Sequence, residues 1–215
     1  VPDRLTEVLA VLGPGEHRFA DAAAWAELEA GLGMALPADF KAVVDAHAPI
    51  RINHHLSLHH PATDRWNLGK WIRETARAWA DVDFDEEEWE NPEEDPRTAL
   101  GLSEVTFGTA GGLIPIAGTD RGKYVFLAPL PDDDSNDGDS DDRNGDDPGL
   151  RLCVVDQDVC WYEYRMSFTE WLHRYLAGED MGGPNSSAFY PGPVDLQYLP
   201  MSRDGRPAAW SGPDR

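Results

Sequence analysis

Residues 25–41, Trp25-Ala-Glu-Leu-Glu-Ala-Gly-Leu-Gly-Met-Ala-Leu-Pro-Ala-Asp-Phe-Lys41, read as the end of one amphipathic helix, a glycine-bearing turn and the start of a second helix. Trp25, Leu28 and Leu32 recur at three- and four-residue spacing and so form one apolar stripe. Gly31 and Gly33 allow the positive φ at which a helix stops. Leu36 precedes Pro37, whose fixed φ and missing N–H suit a first helical turn. Asp39 adds a negative charge near that N-terminus, where the helix dipole favours it. The stretch predicts a helical corner and carries no catalytic chemistry.

Outward from this corner, Leu5, Val8, Leu9 and Leu12 share a helical face ahead of Gly13-Pro14-Gly15, and Asp21 can cap the helix that carries Trp25. The helix begun at Pro37 buries Phe40, Val43 and Val44 and must end before Pro49. Ile50 to His60 is short and β-like. Leu68, Ile72, Ala76 and Trp79 restore helical spacing over 64–80. From about 103 the texture changes to strands: Val105 to Gly108, Leu113 to Ala117, Lys123 to Leu130, Leu150 to Asp156 and Val159 to Tyr164, the last two as a hairpin. Ser167 with Glu170 forms a capping-box pattern ahead of Phe168, Trp171, Leu172 and Tyr175. Helices, then strands, then a closing helix predict an α+β domain over 1–178, with N-terminal helices packed on a mostly antiparallel sheet. Residues 179–215 read as a Gly/Pro-rich extension with one strand-like run, Val194 to Leu199, and a loose terminus.

The motifs resemble those of the SUKH superfamily, which groups bacterial toxin-immunity proteins with a fungal regulator of cell-wall synthesis. Trp25, Glu29, Gly33, Leu36, Pro37, Asp39, Phe40 and Lys41 look like its signature. Leu56 to Leu58 before Pro61, Leu113 to Ala117 with Thr119 and Gly122, and Ser167-Phe168 with Trp171-Leu172 follow in the family's order. The chain departs from it at His47-Ala48-Pro49 and at Gly122-Lys123 with Phe126, and 131–149 resembles an insertion. The resemblance implies a binding protein. It brings no shared catalytic site, and no single member's partner carries over.

Of 215 residues, 18 are Lys or Arg and 40 are Asp or Glu, a net charge of −22. Residues 81–97 hold ten acids and one Arg, and residues 131–149 hold nine acids and one Arg. Together they carry −17 (19 acids, two bases), leaving −5 for the rest of the chain. Such a charge repels nucleic-acid phosphates and anionic lipids and attracts basic partners. The acidic run 131–149 has almost no apolar group to offset its ordering entropy, and predicts disorder. Starting at Asp133, its match to a calcium loop fails at Asn144, where a bidentate acid is needed. No apolar run approaches a membrane span and no export signal is visible, which predicts a cytoplasmic protein. A hairpin with a two-residue loop at 156–157 would set Cys153 opposite Cys160, where a disulfide is geometrically conceivable. In a reducing compartment two apolar thiols are the expected state.

Two further clusters invite functional readings. His54-His55-Leu56-Ser57-Leu58-His59-His60 suggests metal, but on a strand His55 and His59 stand about 13 Å apart, too far for one ion. No metal or other cofactor is therefore expected. In Asp83, Phe84, Asp85, Glu86, Glu87, Glu88, Trp89 and Glu90, acids alternate with two aromatics. The set reads either as a solvated loop pinned to the core by Phe84 and Trp89, or as a docking surface with steering carboxylates and aromatic anchors. No Walker loop, nucleophile elbow or zinc-protease motif is present, and Gly108 to Gly112 precedes a strand and not a phosphate-binding helix. The expected function is neutralisation of a cognate bacterial toxin, a basic nuclease or other nucleic-acid-modifying enzyme, by an occluding acidic surface. The alternatives are a non-toxin scaffold or regulator and a metal-dependent hydrolase using the histidines.

Overall fold

The computed structural model describes residues 3–82, 84, 94–130, 150–187 and 192–213. In chain order these form α1 (Arg4–Leu12), α2 (Ala22–Leu32), α3 (Ala38–His47), β1 (Ile50–Ile52), β2 (Leu56–Leu58), α4 (Leu68–Ala80), α5 (Pro96–Leu100), β3 (Ile114–Thr119), β4 (Tyr124–Pro129), β5 (Leu150–Val155), β6 (Trp161–Tyr164), α6 (Phe168–Leu176), β7 (Asp195–Tyr198) and β8 (Ala208–Ser211). The strands make one sheet in the order β6-β5-β4-β3-β2-β1-β7-β8, and every neighbouring pair is antiparallel. The α+β class with an antiparallel sheet matches the expectation.

Alternation along the central strands divides the core in two. Val125, Leu127, Leu152 and Val154 join the main cluster, while Phe126, Ala128, Cys153 and Val155 join a second one. Successive strand side chains point to opposite faces, so both faces of this half of the sheet are apolar and both are covered. Helices α1, α3 and α6 pack on one another over the main cluster. The second cluster gathers Leu100 of α5, Phe107 and Trp79 from the end of α4.

The helical corner is held by carboxylates. Gly33 caps α2 in the left-handed region at φ 75°, its N–H donating to the Glu29 carbonyl at 2.9 Å. The Glu29 carboxylate accepts the Leu36 N–H at 2.9 Å and the Lys41 Nζ at 2.7 Å, bridging the turn. Burial opposes its charge, but the Lys41 ammonium and the Leu36 N–H outweigh burial and hold it below the usual carboxylate range. Pro37, expected inside the first turn, is instead the N-cap residue at ψ 135°. Asp39 reaches farther than its own helix, because its Oδ2 accepts the N–H and hydroxyl of Thr169 at 2.8 and 3.0 Å, in the first turn of α6. Phe40 meets Phe168 edge-on at 5.0 Å, so polar and apolar contacts fasten the corner to the closing helix together.

Several expectations are corrected. The β-like stretch Ile50 to His60 is β as expected but folds as a hairpin, because Asn53 and His54 take φ 49° and 59° and reverse the chain. Val105 to Gly108 is not a strand. The Leu113 N–H donates to the Thr106 carbonyl at 2.7 Å, and a Cβ on Gly112 would sit 2.5 Å from that oxygen, so residues 106–113 close as a tight loop. Cys153 stands opposite Glu163 and Cys160 lies outside the strands opposite Asp156, so the two cysteines do not face each other and form no disulfide.

The boundary at 178 and the loose terminus are corrected most. Strand β7 pairs with β1 on one side and β8 on the other, and Met181, Val194, Leu196 and Leu199 are buried. Trp210 of β8 packs so closely on Gly13 that a Cβ there would lie 2.5 Å from the ring. Four-residue strands between glycines and prolines give weak periodicity, and their partner β1 lies far back in the chain. A chain truncated after Gly178 is therefore expected to lose its cooperative thermal transition, and retention of a sharp transition in calorimetry would contradict this.

Two imidazoles, the buried His47 and the half-buried His59, make stability depend on pH. Burial, with His17 nearby, pushes His47 down to about 4, and burial with Arg51 nearby does the same to His59. Both rings are neutral in the folded protein at pH 7, whereas an unfolded ring binds its proton below about 6.5. Their contribution is complete above about pH 6.5 and is lost as pH falls towards 4, at up to about 1.4 kcal/mol per pH unit for each ring. Urea unfolding at pH 7.5, 6.0 and 5.0 is expected to show this fall, and His59→Gln to reduce its slope.

Candidate interaction surface

The first acidic segment leaves from the end of α4 and returns at α5. Asp95 caps α5 by accepting the Arg97 N–H at 2.9 Å, and Pro96 occupies the first turn, where its missing N–H does no harm. The Arg97 guanidinium binds Asp95 and donates through Nη2 to the Phe84 carbonyl at 2.7 Å. The one base of residues 81–97 is thus engaged within the segment, tying its two ends together. The second acidic segment joins β4 to β5, whose facing ends are Pro129 and Leu150.

A single side chain stands at the root of both segments. Arg151 is 1% exposed; its Nε donates to the Pro129 carbonyl at 2.8 Å and its Nη2 to the Leu100 carbonyl. Its Nη1 pairs with Glu163 of β6 at 2.9 Å. Pro129 is the last residue of β4 and Leu100 the last of α5, so segments far apart in sequence are anchored at one corner. By sequence the two segments that begin and end here hold 19 acids and two bases.

Beside this corner lies the outer edge of the sheet. Between α5 and residues 180–184 a groove of about 510 Å³ crosses β6, lined by Ala99, Trp161, Glu163, Asp180 and Pro184 among others. A larger cleft of about 550 Å³ separates α2 from α4, with Leu28, Leu32 and Ile72 in its wall and Glu27 and Arg73 at its rim. Its described lining offers no histidine, cysteine or hydroxyl nucleophile.

Of the predicted docking residues, only Phe84 is among the described residues; Asp83, Asp85, Glu86, Glu87, Glu88, Trp89 and Glu90 lie outside them, as does 131–149. Phe84 stacks on Phe107 at 6.2 Å, as expected of a side chain that pins the segment to the core. The signature residues are distributed through the helical layer: Trp25, Leu36 and Phe40 are buried, and Glu29, Gly33 and Pro37 shape the turn between α2 and α3.

The histidines disperse. His54 is exposed in the hairpin turn, and His55 Nδ1 contacts Asp120 Oδ1. His59 meets Trp71 edge-on at 5.3 Å. His60 accepts the Ala62 N–H at Nδ1, 3.1 Å, so its proton sits on Nε2 and is donated to Asp45 Oδ1 at 3.2 Å. The same carboxylate oxygen accepts the Trp25 indole N–H at 2.8 Å. Among the described residues no group of three or more His, Cys, Asp and Glu side chains is placed to hold a metal ion. Likewise no described helix is long and apolar enough to cross a membrane.

Sequence reading missed Arg151, Arg97 and Glu163. For Arg151 a signal existed: a lone cation inside the apolar run Leu150 to Val155 has to find buried acceptors. No family model, curated protein or solved structure matches this chain. Arg151→Ala leaves two carbonyls and Glu163 without their buried cation, and is expected to destabilise by about 3–5 kcal/mol in chemical denaturation. Hydrogen exchange should quicken together around Leu100 and Pro129 if the two roots depend on one side chain.

Proposed function

We propose that this chain is an immunity-type protein with a SUKH-like arrangement, which neutralises a basic toxin by covering its cationic surface. The toxin class that fits is a nuclease or another enzyme whose cleft is shaped for phosphates. The observation that carries this reading is the rooting of both acidic segments at one corner, since a carboxylate-rich surface competes directly with nucleic-acid phosphates for such a cleft. The order of the four family-like motifs supports it from the sequence side. The hydrolase alternative calls on the histidines acting together, and the described His55 and His60 go to separate partners, Asp120 and Asp45.

The reading rests on charge, so salt is its test. Co-expression with the product of the adjacent reading frame is expected to relieve that product's toxicity, and the purified pair to lose affinity at least about tenfold between 50 and 300 mM salt. Replacing Asp85 to Glu88 by their amides should weaken the complex and leave the melting temperature of the free protein unchanged. Affinity indifferent both to salt and to these replacements would reject the electrostatic mechanism.

A further inference from the structure

Strand β6 ends the sheet, and its backbone pattern shows which groups it leaves free. Asp156 N–H donates to the Cys160 carbonyl at 3.1 Å, so residues 156 and 160 form a hydrogen-bonded pair in the β5–β6 ladder. In an antiparallel ladder such pairs alternate with non-bonded ones. The pairs Val154 with Tyr162 and Leu152 with Tyr164 are therefore bonded, while Trp161 and Glu163 turn their N–H and C=O groups away from β5. Among the described residues nothing accepts from or donates to these outward groups. The opposite edge, β8, is bracketed by Pro207 and Pro213, which blunt it against pairing. No comparable groove flanks it among the cavities described.

The edge of β6 sits in a channel. Helix α5 walls it on one side and the turn carrying Asp180 and Pro184 on the other, leaving about 510 Å³ between them. Trp161, 2% exposed, lies in the floor, and its indole Nε1 has no acceptor among the described residues. Asp180 supplies a carboxylate at the channel, while that of Glu163 is engaged by Arg151 at 2.9 Å and by Arg165 at 2.6 Å, and the roots of both acidic segments adjoin the channel through Arg151. A walled strand edge with outward backbone groups, bordered by the Asp180 carboxylate in a chain of net charge −22, matches the requirements for adding one extended chain of opposite charge.

We propose that an extended, basic segment of the partner protein docks as a ninth strand along β6, hydrogen-bonding to the backbone of Trp161 and Glu163. This rests on the reading of the chain as an inhibitor of a basic partner and names the contact that gives it register. Acidic segments steer the partner; the strand edge fixes its direction and alignment.

The test uses the full chain, labelled with ¹⁵N, and three synthetic peptides: an alternating Lys-Val octapeptide, the same peptide N-methylated at each valine, and the same peptide N-methylated at each lysine. Alternate residues of a strand present their N–H groups to the same edge, so only one methylated form keeps the edge that faces β6. The parent peptide is expected to shift and protect the amides of Trp161 and Glu163. One methylated form should bind at least about tenfold more weakly than the other, the loss expected for a few backbone hydrogen bonds. Equal binding by both methylated forms, shifts confined to other surfaces, or no binding by any peptide would overturn strand addition. If the parent peptide still binds in a salt-dependent way without touching β6, the acidic-surface reading stands while this inference falls. Salt-independent binding at β6 gives the reverse outcome.

Discussion

A buried guanidinium needs all its neighbours. Arg151 is the one Lys, Arg, Asp or Glu among the described residues that is fully buried, and an unpaired cation there would be strongly destabilising. Its partners come from the ends of β4 and α5 and from the middle of β6, so satisfying one side chain brings three elements into register. The described ends of two segments that carry −17 between them by sequence, Pro129 and Arg151 of one and α5 of the other, are thereby held together.

Elsewhere acids have a different role. In the helical layer Glu29 bridges the turn between α2 and α3, Asp39 ties α3 to the start of α6, and Asp45 gathers the Trp25 and His60 ring protons. These carboxylates are spent on donors that would otherwise go unmet. The described acids of the helical layer thus form one population, which holds helices together; those of residues 81–97 and 131–149 are a second by sequence position, and the one base of the first segment, Arg97, is engaged close by. Reading net charge alone merges the two populations.

Much of the layout was legible because its signals are local. The capping residues Asp21 and Ser167, the left-handed Gly33 and the apolar faces of α1, α3, α4 and α6 all depend on residues within a turn or two of each other. The strand run from Leu113 onward was legible from alternation and turn residues. The hairpin in 50–60 was not, since Asn53-His54 lacks the glycine that usually marks such a reversal. Strands β7 and β8 were missed because each is four residues long and is stabilised by partners far away in sequence.

By itself the sequence determined the class of the fold, the helical corner and the sign and location of the charge, because periodicity, capping and composition are properties of neighbouring residues. Only the tertiary structure decided that the C-terminal residues complete the sheet, that the histidines part to separate partners, and that the two acidic segments share a root. Those outcomes depend on which distant groups meet in the interior, where an unmet polar group is costly and each donor or cation must find its acceptor. The free edge of β6 belongs with them, since an edge exists only once every other strand has been placed.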